Sequence, residues 1–279
     1  MFTIRCLIDN TPIDATRFQT EHCLAFSFER AAGIILFDTG QSGSVLLHNA
    51  AQMGLDLSQV DALALSHAHY DHTGGLEAFL QKSRPGLSLY AHPDVFRARF
   101  AVKDAQARSI GLSMSQADLA KYTALNLSTE PAQILPGVWT TGEITGRTEF
   151  EGRSAHHFIR AEQGWQPDPY LDDMSLVLEA QSGLILVCGC CHAGLLNTLA
   201  HVRRVFNQEI AAIIGGAHLA NVSVDTLEHT INILRATNEV EVPSLYLNHC
   251  TGDRALVALL SAFGGKVHPC PAGTVLKFV

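Results

Sequence analysis

Four potential metal ligands lie within residues 67–72, which read His-Ala-His-Tyr-Asp-His. Side chains two residues apart on an extended segment point the same way, so His67 and His69 can bind one ion together. Asp71 and His72 are adjacent and diverge, so they can face a second ion nearby. Imidazole and carboxylate suit zinc, and the same mixture also suits iron or manganese. The run therefore predicts a centre of one or two metal ions, against the simpler alternative of a polar surface loop.

Three later histidines could complete such a centre. His192, His218 and His249 each follow an apolar run and a few small or polar residues. Active sites of α/β folds collect residues from several strand ends, so this repeated design favours convergence. We expect His192 and His249 to be ligands, whereas for His218 a core position is an equal alternative. Cys190 can face the same ion as His192, because a thiolate beside an imidazole suits zinc, or it can be a small buried hydrophobe.

Other histidines carry a weaker pattern. His201 falls off the apolar stripe of its predicted helix, which favours a solvated position. His22 follows no ligand spacing and is not predicted to act. His156 and His157 lie in an irregular stretch and could line the mouth of a substrate pocket.

The elements that must position these residues alternate between strands and helices. Apolar runs bounded by turn residues predict strands over 2–8, 23–28, 33–37, 60–65, 87–90, 174–179, 184–187, 210–214, 244–247 and 274–279. Helical spacing predicts helices over 44–53, 195–206, 224–234 and 254–263. Strand clusters followed by helices in each half predict an α/β fold, an αββα sandwich of two mixed sheets with outer helices.

Two local features refine this picture. The strand over 60–65 delivers the 67–72 run to a strand end, and Gly74 and Gly75 then let the backbone turn before a helix. Residues 94–126 are predicted to be helical, and residues 134–170 irregular. We therefore expect one domain over 1–279, with an inserted pocket roof around 94–170.

Composition excludes several classes of protein. Hydrophobic residues make up 47% and charged residues 16% of the 279, which excludes intrinsic disorder. No apolar run approaches the roughly 20 residues of a membrane-spanning helix, and Asp9 interrupts the place of a signal-peptide core. The net charge of −8 argues against nucleic acid. Seven cysteines without a disulfide framework indicate a reducing, cytoplasmic setting. We expect a small-molecule substrate and leave a homo-oligomer open.

These motifs resemble those of the metallo-β-lactamase superfamily. The pattern His67-x-His69-x-Asp71-His72, preceded by Asp38-Thr39-Gly40, carries the resemblance. Within the superfamily the chain is similar to the branch named for 7,8-dihydropterin-6-ylmethyl-4-(β-D-ribofuranosyl)aminobenzene 5′-phosphate synthase. The matching segments are Thr141-Gly142-Glu143-Ile144, Asp172-Asp173-x-Ser175-Leu176, Gly189-Cys190-Cys191-His192-Ala193-Gly194, Gly215-Gly216-Ala217-His218-Leu219 and His249-Cys250-Thr251-Gly252.

The resemblance implies a two-metal centre. In it His67 and His69 hold one ion, Asp71 and His72 hold the other, and His249 is the final ligand. The usual mid-chain Pro-Gly-His-Thr ligand motif is absent, and residues 141–144 take its place. The usual bridging Asp is also absent, with a Gly-Cys pair in its position, so Cys190 or His192 must supply what is missing.

Three functions fit these residues. The first is a metal-dependent hydrolase, in which a metal-bound hydroxide attacks a small, phosphorylated or pterin-like substrate. There Asp71 would orient the water, and His218 would act as an acid or oxyanion partner. The second is the branch's own chemistry, a transferase joining a pterin-methyl diphosphate to a ribosyl aminobenzene phosphate. The third is a non-catalytic metal-binding or ligand-sensing module. Arg147 and Arg153 are either phosphate clamps or solvated loop charges.

Overall fold

The computed structural model describes residues 1–104, 106–148, 150–236 and 242–279. The strands in these ranges are β1 (Phe2–Ile8), β2 (Ala25–Arg30), β3 (Gly33–Phe37), β4 (Ala62–Ala64), β5 (Leu87–Ala91), β6 (Arg99–Lys103), β7 (Gln106–Ser109), β8 (Thr123–Leu127), β9 (Gln133–Leu135), β10 (Val138–Thr140), β11 (His157–Ala161), β12 (Gly164–Pro167), β13 (Ser175–Ala180), β14 (Gly183–Cys188), β15 (Ile210–Gly215), β16 (Ser244–Leu247), β17 (Val267–Pro269) and β18 (Val275–Phe278). The α-helices are α1 (Gly43–Gln52), α2 (Tyr70–Thr73), α3 (Leu76–Leu80), α4 (Gln116–Leu119), α5 (Leu195–Phe206), α6 (Val224–Ala236) and α7 (Asp253–Phe263). Within the described ranges, no helix combines the length and apolar character that a membrane crossing requires.

Most strands belong to two large mixed sheets. One has the strand order β18-β1-β2-β3-β4-β5-β8, and the other has the order β17-β16-β15-β14-β13-β10-β9. In the first, β1, β2 and β3 pair antiparallel and β3, β4 and β5 pair parallel. In the second, β13 and β14 pair antiparallel, and β14 to β17 run parallel. The α/β sandwich of two mixed sheets is confirmed.

Alternation along the strands assigns their two faces to different apolar layers. In β14, Ile185 and Val187 pack between the two large sheets, whereas Leu184 and Leu186 pack beneath the helices α5, α6 and α7. A third layer covers the outer face of the first sheet with α1 and α3. Because β14 is buried on both faces, it is apolar throughout, as parallel strands of this kind usually are.

The helical prediction for 94–126 is wrong. Strands β6, β7 and β8 occupy much of that stretch, and its one α-helix among the described residues is the short α4. Strands β11 and β12 likewise interrupt the stretch predicted to be irregular, and with β6 and β7 they form a four-stranded sheet. Phe100 lies opposite Phe158 in that sheet. A pairing between residues so far apart in the chain leaves no trace in local periodicity.

The two glycines after the 67–72 run act differently from the prediction. Gly74 has φ −68° and Gly75 has φ −81°, which any residue can adopt. A Cβ on Gly74 would lie 2.1 Å from the carbonyl oxygen of Gln41, and one on Gly75 would lie 2.2 Å from that of Thr39. Glycine is therefore needed because the loop after β3 packs directly against this turn.

Candidate metal centre

The ligand-bearing loops meet because their strands end at the same edges of the two sheets. The 67–72 loop follows β4, and the loops that carry His192, His218 and His249 follow β14, β15 and β16. Those last three strands are parallel neighbours, so their carboxyl ends lie side by side. The structure thus brings all the predicted ligands to one place.

Three imidazoles form the first position. One ring nitrogen from each of His67, His69 and His192 lies within 4.8 Å of the other two. Nε2 of His67, Nε2 of His69 and both ring nitrogens of His192 are buried with no hydrogen-bond partner in the described part of the chain. Burial lowers the pKa of all three rings well below the usual value, which keeps them neutral. Neutral, unpartnered, converging imidazoles fit a metal ion.

A second position lies beside the first. His72 Nε2, His249 Nε2 and Cys190 Sγ are separated pairwise by 3.1, 3.2 and 3.3 Å. Zinc bonds of about 2.0–2.3 Å in a tetrahedron place ligand atoms about 3.3–3.6 Å apart, so this trio is close to one tetrahedral face. Asp71 Oδ2 lies 3.9 Å from His72 Nε2 and 3.7 Å from His249 Nε2. Asp9 accepts a hydrogen bond from the His249 amide at 2.8 Å and holds this loop in place.

A buried carboxylate orients both positions. Asp38 accepts hydrogen bonds from His72 Nδ1 at 2.6 Å and from Ser66 Oγ at 2.7 Å. Ser66 Oγ in turn lies 2.8 Å from His67 Nδ1, so both rings present Nε2 to the centre. Burial acts to lower the pKa of His72, but the carboxylates of Asp38 and Asp71 and the sulfur of Cys250 together outweigh it and raise the pKa to about 9. Such outer contacts fix the orientation of metal-binding imidazoles.

Two consecutive aspartates brace the backbones of two ligand loops. Asp172 accepts a hydrogen bond from the amide of Ala68 at 2.8 Å, between the first two histidine ligands. Asp173 accepts one from the amide of Ala193 at 2.9 Å, directly after the third. The sequence singles out this pair only as a matching segment and does not reveal what it holds.

Arg99 on β6 supports the surroundings of the centre, and the sequence gives no signal of this position. Its side chain is 1% exposed and pairs with three carboxylates: Asp94 at 2.8 Å, Asp168 at 2.9 Å and Asp172 at 2.6 Å. Burial raises the pKa of Asp172 to about 7, Arg99 opposes that shift, and Asp168 adds to it. Through Asp172, the four-stranded sheet is coupled to the loop that carries His67.

Backbone strain is concentrated in the same region. Asp38, Cys191, His218 and His249 have φ values of 58°, 56°, 51° and 50°. Left-handed backbone costs a residue other than glycine roughly 1–2 kcal/mol. Contacts such as the one between Asp9 and the His249 amide hold this backbone, and strain of this kind is common at functional sites.

Sequence and structure comparisons relate this chain to known proteins. The family model of the Metallo-beta-lactamase superfamily matches residues 21–190, more than half of the chain. The chain belongs to this superfamily. The 7,8-dihydropterin-6-methyl-4-(beta-D-ribofuranosyl)-aminobenzene-5'-phosphate synthase of Methanocaldococcus jannaschii is 29% identical over 272 residues, covering 94% of this chain and 91% of its own. Both resemblances that the motifs carry, to the superfamily and to this branch, are thus confirmed.

Two further relatives extend over nearly the whole length. An uncharacterised protein of the same organism is 29% identical over 258 residues, covering 92% of this chain and 93% of its own. A solved structure described as a metal-dependent hydrolase of the beta-lactamase superfamily is 27% identical, with a TM-score of 0.81 and 99% of both chains covered.

Two histidines of this metallo-beta-lactamase fold lie where the sequence does not predict them. His22 Nε2 is 3.9 Å from Asp71 Oδ2, and its ring centroid is 4.8 Å from that of His249. His201, predicted to be solvated, is 4% exposed, with Nε2 3.0 Å from the carbonyl oxygen of Thr141. The helix-face argument fails for His201 because α5 packs against a loop on that side as well.

The two candidate phosphate clamps have different surroundings. Arg147 donates to the backbone carbonyls of Ile144, Pro169 and Tyr170 at 2.6–2.7 Å, a position that matches neither a phosphate clamp nor a solvated loop charge. Its guanidinium supports the loop before β13 instead. Arg153 lines the cavity beside the centre.

A cavity of about 670 Å³ opens next to the centre. His218 and His249 line it, together with Asn10, Asn221 and Arg153 among others. His156 and His157 line it too, as the sequence predicts. A smaller cavity of about 220 Å³ contains His69, Asp71 and Cys190 and shares several lining residues with the larger one.

Proposed function

We propose that this protein is a metal-dependent hydrolase of a small, phosphorylated or pterin-like substrate. The observation that carries the proposal is the convergence of buried, unpartnered imidazole nitrogens beside a cavity of about 670 Å³. Small-molecule sites usually enclose about 300–1,000 Å³, so the cavity has room for such a substrate.

The donor atoms divide between two ions. His67, His69 and His192 would hold one, and His72, His249 and Cys190 would hold the other, with Asp71 beside it. The thiol and the excess of imidazole favour zinc over iron or manganese. Bound ions of this kind activate water and offset the negative charge that develops on the substrate.

Asp71 is the group best placed to handle the proton of the attacking water. Its Oδ2 lies beside both His72 and His249, where it can orient that water and accept a proton. His22, with its side chain 62% exposed, lies 3.9 Å away on the solvent side and can pass the proton outward.

His218 lines both cavities and is the residue that we propose to act on the substrate from the loop after β15. Its ring centroid is 4.2 Å from that of His192, and its Nδ1 has no hydrogen-bond partner in the described part of the chain. Burial acts to lower the pKa of His218, but Cys250, Asp173 and Asp71 together outweigh it and raise the pKa. A protonated ring there can donate a hydrogen bond to the developing oxyanion or a proton to the leaving group.

A transferase is the second candidate. The synthase of Methanocaldococcus jannaschii is similar to this chain over 94% of its length, and its name describes the joining of a pterin to a ribosyl aminobenzene phosphate. The two adjoining cavities, of about 670 and 220 Å³, would give a donor and an acceptor separate places. In that reaction the same centre would activate a diphosphate leaving group.

Turnover by zinc-loaded protein separates these candidates. A panel of phosphodiesters and lactones tests hydrolysis, with Asp71→Ala expected to abolish turnover and the exposed Asp225→Ala expected to retain it. A pterin-methyl diphosphate, with and without the aminobenzene partner, tests transfer through diphosphate release. Release only in the presence of the partner would replace the hydrolase by the transferase, and protein that takes up no divalent metal would refute both.

A further inference from the structure

Cys250 lies at the centre, but neither the motif pattern nor the family resemblance assigns it a role. It follows His249 on the short turn His249–Thr251. Its Sγ, the Sγ of Cys190 and a ring nitrogen of His249 all lie within 4.8 Å of one another. Cys250 also lines the small cavity that contains Asp71.

The backbone explains how two consecutive side chains reach the same place. On an extended segment, adjacent side chains point to opposite faces. His249 is instead left-handed, with φ 50°, and the chain turns there. The turn directs both the imidazole and the following thiol toward Cys190, so the strain at His249 has a structural consequence.

The surroundings of the Cys250 sulfur are polar. It accepts a hydrogen bond from the amide of His218 at 3.3 Å and, as a thiol, donates one to the carbonyl oxygen of Cys190 at 3.4 Å. A metal ion bound to this sulfur would take the place of that thiol proton. Cys188 and Cys191, in contrast, belong to the apolar layer beneath the helices. Amide donors to sulfur are typical of thiolates that bind metals, whereas a thiol that only fills space needs none.

A neighbouring glycine leaves room for this sulfur. A Cβ built on Gly216 would lie 2.6 Å from Cys250 Sγ and 2.5 Å from the carbonyl oxygen of Gly189. Any residue with a side chain at position 216 would therefore require the Cys250 sulfur or the Gly189 carbonyl to shift. The loop after β15 is therefore shaped around the position that Cys250 occupies.

We propose that Cys250 supplies a second thiolate to the ion held by His72, His249 and Cys190. This inference rests on the proposed function only in that both need a metal. One position is then a closed set of two imidazoles and two thiolates, and the other is the three-histidine set with an open place. Closed sets hold zinc structurally, whereas three-ligand sets keep a place for water or substrate. Asp71, which the resemblance implies as a ligand of this ion, would then lie outside a filled set of ligands. It lines the small cavity together with His69 and His192, so the water on which it acts would belong to the open three-histidine position.

Cadmium substitution tests the thiolate count directly. Metal-free protein is loaded with Cd²⁺, and the ultraviolet charge-transfer absorbance of cadmium–thiolate bonds is measured per chain. We expect Cys250→Ser and Cys190→Ser each to lose about half of it and the double variant to lose nearly all. Cys188→Ser, in the apolar layer, is the matched control and should retain it. Full absorbance in a folded Cys250→Ser protein would overturn the proposal.

A second measurement uses the unaltered chain and avoids any folding defect of the variants. Protein with and without zinc is treated with N-ethylmaleimide, and the labelled cysteines are located by peptide mass spectrometry. Zinc should slow labelling of both Cys190 and Cys250. Protection of Cys190 alone would refute the second thiolate and leave the proposed function standing. Zinc protection of both cysteines in a protein that turns over no substrate would support the second thiolate and refute the proposed function.

Discussion

Replacing Arg99 by methionine should both destabilise the fold and weaken metal binding. Methionine retains much of the apolar stem of arginine and removes the charge. It leaves Asp168 and Asp172, both buried, and the partly exposed Asp94 without their shared cation. Asp172 would then be free to protonate or shift, and its hydrogen bond to the amide of Ala68 would weaken.

The expected size follows from burial. Removing one partner of a buried ion pair costs about 3–5 kcal/mol, because the remaining charge stays uncompensated. Arg97 offers a matched control on the same segment: it pairs with Asp94 at 2.7 Å, but its side chain is 42% exposed. Arg97→Met should cost less than about 1 kcal/mol, as exposed pairs do. Both variants remove one positive charge, so the difference between their losses of unfolding free energy measures the effect of burial.

Urea denaturation of metal-free protein, followed by circular dichroism, measures the free energy of unfolding of both variants. Zinc affinity is then measured by competition with a chromogenic chelator. For Arg99→Met we expect a 10- to 100-fold loss, typical for a group that supports metal ligands from outside. A stability loss below about 1 kcal/mol, or equal losses in the two variants, would refute the reasoning.

Three other perturbations give sharp expectations. Asp38→Ala should lower zinc affinity by about 10- to 100-fold, because the ring of His72 loses the carboxylate that orients it. His201→Leu should lower the free energy of unfolding by about 1–3 kcal/mol, because a buried carbonyl loses its donor. Burial raises the pKa of Glu151, so the folded chain binds that proton more tightly than the unfolded chain. Its stabilising effect is present below the unfolded pKa of about 4.5 and lost as pH rises through the higher folded pKa, so Glu151→Gln should gain stability relative to the parent as pH rises above about 4.5.

Each of these has an outcome that contradicts it. Unchanged affinity of Asp38→Ala in the chelator competition would show that His72 needs no orienting partner. An unfolding free energy of His201→Leu within about 0.5 kcal/mol of the parent would show that the bond to the backbone contributes nothing. For Glu151→Gln, a stability difference that stays constant with pH, measured by urea titration at several pH values, would refute the shift.

The local parts of the centre and the regular elements could be predicted because they depend on neighbouring residues. The spacing of His67, His69 and His72 on an extended loop and short helix is set within six positions. The strands of both large sheets could be predicted from their apolar runs, whose side chains alternate between two buried faces, as in β14. The role of the two glycines could not be predicted in the same way, because it depends on a loop some 35 residues earlier.

The amino-acid sequence by itself determined which chemical groups this protein has and which of them follow strand ends. Only the tertiary structure decided that Cys250 joins Cys190, that His22 reaches Asp71, and that Arg99 lies beneath a ligand loop. Those contacts join segments that are far apart in the chain, and they depend on how parallel strands align and on which sheet an edge strand pairs with. Local spacing records side-chain direction over a few residues, whereas proximity in space is set by the packing of the whole core.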